Sequence, residues 1–430
     1  MNLVMAFIAF NIIIIVHELG HFLTAKKFGI KVLEFSLFIG PKLFSFQKGD
    51  TTYSLRLIPL LAYVKMEGEE EFSDSESAFC KKPKHARALT AFGGPFANLL
   101  LAAVLLTVYF TIQGYDTTKV SRVAENLPAA AAGIQPGDKI LSYDGKRVYQ
   151  PMDIYQFLYI SKGVPAKVEY IRDGKRYTET IKPYIIPAAV APKLGVSIGS
   201  ENDADSNVIK ALSPGYPAEK IGLQVGDRII ALNDTEIKTA RELVDFVTQN
   251  GLKPIILKAI RGNSEVNVKI TPVEVKSQEM YDIGMDFILK KAGFFDALGE
   301  SAVFTWSIVR STGYSLVWLI NGQAKLNEMM GPIGMVSTIG TVVEQAPNVV
   351  QMLLNIIYMT ALFSIALGAT NLLPFPMLDG GRLVLIGLEA VRGKPLSQKK
   401  EAYISMVGFV LIILLGIYAA YNDIVRLVTG

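Results

Sequence analysis

Cysteine occurs once in the 430 residues, as Cys80, and histidine three times, as His17, His21 and His85. A single cysteine excludes a disulfide framework and a cysteine-rich zinc module. Any chemistry that needs histidine must use nearly all of those present. Charge is scarce as well: Lys, Arg, Asp and Glu make up 19% of the chain and hydrophobic residues 50%, against roughly 25% charged in an ordinary soluble domain. Neither a disordered chain nor an ordinary cytosolic enzyme fits that balance. The net charge of +4 is small and dispersed, so no nucleic acid is expected as a partner. The length exceeds what one compact core serves, and several units are expected.

In place of charge the chain has long apolar runs. Four have the length of membrane spans. Met1 to about Thr24 is broken only by His17, Glu18 and His21; Ala88 to about Gln113 carries no charge, nor do residues 345–378 or Ala402 to Asn422. A signal peptide does not account for the first, because nothing basic precedes the apolar run and no small-residue cleavage site follows it. Lys26, Lys27 and Lys31 follow the first run, Lys81, Lys82, Lys84 and Arg87 precede the second, and Arg382, Arg392, Lys394, Lys399 and Lys400 separate the last two. The positive-inside rule makes these segments cytoplasmic. Both termini and the charged, turn-rich region from about Asp116 to Lys291 are then expected outside.

That region repeats itself. Gly133-Ile-Gln-Pro-Gly-Asp-Lys-Ile140 recurs as Gly222-Leu-Gln-Val-Gly-Asp-Arg-Ile229, and the same offset brings Pro128 onto Pro217 and Arg172 onto Arg261. Two units of one kind are expected in tandem, each of short strands around one or two helices. The pattern resembles PDZ domains, which bind an extended peptide as an added strand, often by its C-terminal carboxylate; Leu194-Gly195-Val196 is similar to their carboxylate-binding loop. Beyond the second copy, Ala292 to about Ile320 is apolar but carries Asp296, Glu300 and Arg310. A fifth crossing there would put the Arg392 to Lys400 loop outside, so the segment is expected to be a peripheral amphipathic helix.

Within the first run stands His17-Glu18-Leu19-Gly20-His21, an H-E-x-x-H motif. On a helix, residues i and i+4 share a face, so two imidazoles can hold one metal ion with a carboxylate beside it. Zinc lowers the pKa of its bound water to about 7, and the carboxylate takes the proton. Ionisable groups inside a membrane helix cost about 2.5–3.5 kcal/mol each and are normally functional. Catalytic zinc needs a third protein ligand. His85 lies in a basic loop, where a solvated segment is the better reading. Asp379 ends the charge-free third run in Asn371-Leu-Leu-Pro-Phe-Pro-Met-Leu-Asp-Gly-Gly381, three residues before Arg382. His17 and His21 lie roughly 7–14 Å inside the same boundary at 1.5 Å per residue. The depths match. As a helix cap Asp379 would have no such role, and a structural metal site in a membrane-anchored PDZ scaffold is the alternative to an enzyme. Glu18 separates the two, because a structural site needs no general base.

With these two motifs the chain resembles the site-2 protease family of intramembrane zinc metalloproteases, in the branch that regulates bacterial sigma-E. The likeness covers essentially the whole chain and includes Gly94-Pro95-Phe-Ala-Asn98 opening the second run and Gly331-Pro-Ile-Gly334 before the third. It implies that His17, His21 and Asp379 bind Zn2+, that Glu18 is the catalytic base, and that Asn371 holds substrate. It also implies a bacterial cytoplasmic (inner) membrane location and single-span membrane protein substrates, either an anti-sigma factor already trimmed by another protease or remnant signal peptides. One segment departs from the family: its Pro-Leu-Gly-Gly-Tyr-Val-Lys-Met reads Pro59-Leu-Leu-Ala-Tyr-Val-Lys-Met66 here.

Phe44-Ser-Phe46 and Tyr53-Ser-Leu-Arg-Leu57 alternate around Lys48-Gly49-Asp50, which signals a hairpin. A protease within the membrane must cut a backbone sealed in helical hydrogen bonds, and an exposed strand edge near zinc could pair with an unwound substrate. A cytoplasmic hairpin without that role is the other reading. The expected fold is a polytopic α-helical membrane protein with four transmembrane helices, a membrane-associated β-hairpin and two extracytoplasmic α+β PDZ-like domains. Its parts are residues 1–115, with the first two spans; 116–190 and 191–276, the PDZ-like domains; 277–345, an amphipathic connection; and 346–430, the last two spans. The expected partners are the substrates, the lipid bilayer and peptide C-termini at the PDZ-like domains.

Overall fold

The computed structural model describes residues 2–429 apart from 70–72, 189, 199–206, 214, 277–278, 327–330, 345, 347 and 395–397. Helix α1 (Asn2–Lys27) leads into two long strands, β1 (Val32–Lys48) and β2 (Thr51–Met66), and then into α2 (Lys84–Gln113). A strand-rich region follows, with the short helices α3 (Pro128–Ala131), α4 (Pro151–Ser161), α5 (Pro217–Lys220) and α6 (Ala240–Asn250). Helices α7 (Phe294–Ile320), α8 (Pro332–Glu344), α9 (Val349–Asn371), α10 (Asp379–Arg392) and α11 (Gln398–Thr429) complete the chain. Among the described residues four stretches are long and apolar enough to cross a membrane: Val4–Lys27, Lys84–Gln113, Val349–Asn371 and Tyr403–Val425. These are the four runs read from the sequence.

Small residues bring α1 and α2 together. A Cβ at Gly20 would lie 2.2 Å from the Gly93 carbonyl oxygen, and one at Gly93 would lie 2.5 Å from Thr24 Oγ1. Without a hydrophobic driving force between helices in lipid, this kind of backbone approach is what packing there relies on. On the other side of α2, Ser364 Oγ of α9 donates to the Asn98 carbonyl at 2.8 Å.

The hairpin turns at Gly49-Asp50 as its sequence signals, but its strands fold back on themselves. Residues 32–37 of β1 pair with 62–66 of β2 and also with 52–55, while 44–48 pair with 51–55. In the 34–37 and 52–55 set the residue numbers rise together, so two strands make four rows, with 62–66 along one edge and 44–48 along the other. A polar knot holds the fold-back: Ser54 Oγ donates to Glu34 Oε1 at 2.6 Å and Arg56 Nη2 to the same oxygen at 2.9 Å. Burial alone would raise the Glu34 carboxyl, yet the hydrogen bonds from Ser54 and Arg56 hold it down at about 2.

The strand-rich region forms two units, each built on the repeated Gly-Asp. Asp138 and Asp227 are both buried, and each receives two hydrogen bonds from an arginine 34 residues on, Arg172 and Arg261, at 2.7–2.8 Å. The same arginines donate to the Gly133 and Gly222 carbonyls. The units do not simply follow one another. The outer strand of the first sheet is Met285–Lys290, which pairs with Tyr115–Val123 after the entire second unit has passed. That strand falls in the segment expected to be a connection, 277–345, so the first unit closes across the second rather than ending at residue 190. Ile283 and Met285 belong to its core. The repeat explains why: Gly284 (φ 78°) stands to Leu127 as Gly195 (φ 83°) stands to Tyr216, and Ala129 and Ala218 donate to the Ile283 and Leu194 carbonyls at the same 2.9 Å.

Helix α7 is one continuous helix. Its first half packs on α2 and α9 through Ala297 and Phe304, and Tyr314 and Trp318 pack on the core of the first unit. Arg310 reaches the buried Asp153 of α4 at 2.9 Å. Its buried residues mix Ser301, Thr305, Ser307 and Ser311 with Ala297 and Trp318, while Phe294, Phe295, Leu298 and Trp306 are exposed.

Candidate metal centre

One turn of α1 separates His17 from His21, and both rings are buried against α2. Their Nε2 atoms lie 3.2 Å apart. Asp379, the first residue of α10, completes the group: its Oδ2 lies 3.3 Å from His17 Nε2 and 3.4 Å from His21 Nε2. The chain reaches this point through a tight turn. Pro374 and Pro376 end α9, Met377 takes a positive φ of 74°, and a Cβ at Gly380 or Gly381 would lie 2.2 Å from the Leu373 or Phe375 carbonyl oxygen. The two glycines let α10 start directly beneath the end of α9, and that sets Asp379 against α1.

These separations can be set against a metal. A tetrahedral ion with bonds of about 2.0–2.1 Å holds its ligand atoms about 3.3–3.4 Å apart. Two imidazole nitrogens and a carboxylate oxygen at 3.2–3.4 Å fit that geometry and that donor chemistry. Position 94 lies against the same space, since a Cβ at Gly94 would be 2.3 Å from His21 Nε2 and 2.8 Å from His17 Nε2.

The other predicted residues surround the trio. Glu18 turns from the histidine face towards the hairpin, where its Oε2 accepts from the Val64 amide at 3.1 Å. The edge row 62–66 therefore turns towards Glu18 the side that pairs with no strand among the described residues. Asn371, the last residue of α9, places Nδ2 3.4 Å from His17 Nε2. His85 is not among them; its ring lies against Phe28, with centroids 6.2 Å apart. Where the family pattern has glycine, Leu61 adopts φ 64°, so the backbone conformation a glycine would supply is kept by a side chain that rarely adopts it.

Two contacts on α2 carried no sequence expectation. His21 Nδ1 lies 2.8 Å from the Thr90 carbonyl oxygen, and His17 Nδ1 lies 3.2 Å from Asn98 Nδ2. A backbone carbonyl leaves no trace in a sequence. Asn98 and Gly94 did have one, the Gly-Pro-x-x-Asn pattern in an otherwise apolar run.

Comparison with known proteins matches residues 5–415 to the family described as Peptidase family M50. Regulator of sigma-W protease RasP of Bacillus subtilis (strain 168) is 28% identical, the alignment covering 99% of each chain. Zinc metalloprotease RasP of Geobacillus kaustophilus (strain HTA426) is 30% identical over 97% of this chain and 96% of that protein. Regulator of sigma-E protease RseP of Salmonella typhimurium (strain 14028s / SGSC 2262) is 29% identical over 99% of each. Among solved structures, the HtrA3 PDZ domain bound to a phage-derived ligand is similar to 21% of this chain and 91% of that one, at 23% identity and a TM-score of 0.18.

Proposed function

The chain belongs to peptidase family M50 and is a zinc metalloendopeptidase, and on that premise we propose that it cuts single-span membrane proteins within or beside their spans, with zinc held by His17, His21 and Asp379. The observation that carries this reading is the spacing of three ligand atoms at 3.2–3.4 Å, with Glu18 on the same helix. Bound there, zinc would polarise the scissile carbonyl and lower the pKa of a water to about 7. Glu18 is the general base and takes the water proton on its carboxylate. Asn371, at the rim of the group, donates to the substrate backbone and orients it. The edge row 62–66 receives the unwound substrate as an added strand; the Val64 amide donates to Glu18 and passes to the substrate when a strand is laid there, which brings that strand past the base.

Two further readings belong to this proposal. The repeated units are PDZ-like domains outside the cytoplasmic membrane, and they bind peptide C-termini or exclude bulky ectodomains. The substrates are an anti-sigma factor trimmed beforehand, or remnant signal peptides; two of the relatives carry names as regulators of sigma-W and sigma-E.

Glu18→Gln tests the chemistry. It leaves the ligands in place and removes the base, so zinc content should be unchanged while cleavage of a single-span substrate in detergent falls by about 10²–10⁴-fold. Near-normal cleavage with correctly bound zinc would remove Glu18 from the role of base, whereas zinc-loaded wild-type protein that cleaves nothing would favour the scaffold with a structural metal.

A further inference from the structure

We propose that Asn98 is a positioning residue for the metal centre, its side-chain oxygen accepting the Nδ1 proton of His17 and so turning the Nε2 lone pair of that ring to the metal. The inference rests on the ligand assignment above and goes beyond it.

The two histidines are held alike. Each directs Nε2 into the space shared with Asp379, and each directs Nδ1 at α2. For His21 the partner is the Thr90 carbonyl, which can only accept, so Nδ1 carries the proton and Nε2 is free to ligate. His17 must reach the same tautomer, and its Nδ1–H needs an acceptor. The group within reach is the carboxamide of Asn98, fully buried, with its nitrogen placed 3.2 Å from Nδ1 and its oxygen without a hydrogen-bond partner among the described residues. The two ends of a carboxamide are exchanged by rotation about χ2, and the network decides which end faces which group. An amide nitrogen facing Nδ1 would leave His17 either with its proton on Nε2, where the metal belongs, or with two donors opposed. Oδ1 facing Nδ1 removes that conflict. Outer partners of this kind fix the tautomer and ring orientation of metal-bound histidines.

The geometry also assigns the register of the support. Thr90 and Asn98 lie eight residues apart on α2, flanking Gly94, whose missing side chain leaves the space that both Nε2 atoms face. One helix thus supplies the acceptor for each imidazole and the gap between them.

The test uses the full chain in detergent, with zinc affinity measured by competition against a chromophoric chelator and ligand geometry read from the visible spectrum of the cobalt-substituted protein. Asn98→Ala is expected to weaken zinc binding by roughly 10–100-fold and to alter the cobalt spectrum. Asn98→Asp keeps an acceptor and cannot donate when ionised, so it should retain at least wild-type affinity and the wild-type spectrum. A merely structural asparagine predicts no such rescue. Should Asn98→Ala fail to fold, the aspartate variant still decides: a loss of tenfold or more overturns the acceptor assignment. Wild-type affinity in Asn98→Ala overturns the proposal outright. His17→Ala separates the premise from the inference. If it leaves zinc bound, the ligand set itself is wrong; if zinc is lost there but not in Asn98→Ala, only the role of Asn98 is.

Discussion

A carboxylate in the first turn of a helix is well placed for the helix's own amides, yet the Asp379 side chain is directed across to His17 and His21. On the ligand set proposed above, its removal acts on the metal. Asp379→Asn should weaken zinc by more than the roughly 10–100-fold that losing an outer partner costs, whereas His85→Ala should leave it unchanged. Metal content after dialysis reads both, and equal zinc in wild type and Asp379→Asn would remove Asp379 from the ligand set. The grouping of these side chains was legible in the sequence because ionisable residues stand out in an apolar run and because their depths could be matched. The acceptors on α2 were not. Thr90 contributes a backbone oxygen, and Asn98, though marked by the Gly-Pro-x-x-Asn pattern, has no partner in the sequence until the fold places it opposite His17.

At the scale of elements, the hairpin brings a strand edge to Glu18. Its turn could be read locally from Lys48-Gly49-Asp50, but the fold-back depends on pairings such as Phe35 with both Val64 and Tyr53, and no local pattern encodes them. The bend into the edge row passes through Leu61 at φ 64°. Left-handed backbone costs an L-residue about 1–2 kcal/mol, and β-branched residues tolerate it least. Leu61→Ile should add to the cost that Leu61 already bears and loosen the row 62–66, raising its amide hydrogen exchange by about 5-fold for each kcal/mol lost. Leu61→Gly removes the strain but frees the unfolded chain by about 0.5–1 kcal/mol, so its exchange should stay near that of wild type. Equal exchange in all three proteins would show that the bend does not hold the edge.

Across the whole molecule, the repeat in the sequence announced two similar units but not that one interrupts the other. Their offset is a local signal, while the pairing of Met285–Lys290 with Tyr115–Val123 spans the entire second unit. This nesting changes which deletion is informative. Removing residues 117–275 would leave Met285–Lys290 without its partner strand and would uncover Tyr314 and Trp318 of α7, which pack on the first core. Removing 187–279 cuts between Ile186 and Met280, which are already paired, so a short turn can close the gap. The second core, from Leu194 to Ile270, leaves as a unit. The excised protein should fold, bind zinc as the full chain does and cleave a single-span substrate lacking its ectodomain. If the repeated units exclude bulky ectodomains, an untrimmed substrate should also gain access. Zinc loss or aggregation on this excision, with the 117–275 deletion faring no worse, would mean that the first unit does not close on itself. Folding and zinc binding with continued rejection of untrimmed substrate would remove the second unit from any part in exclusion.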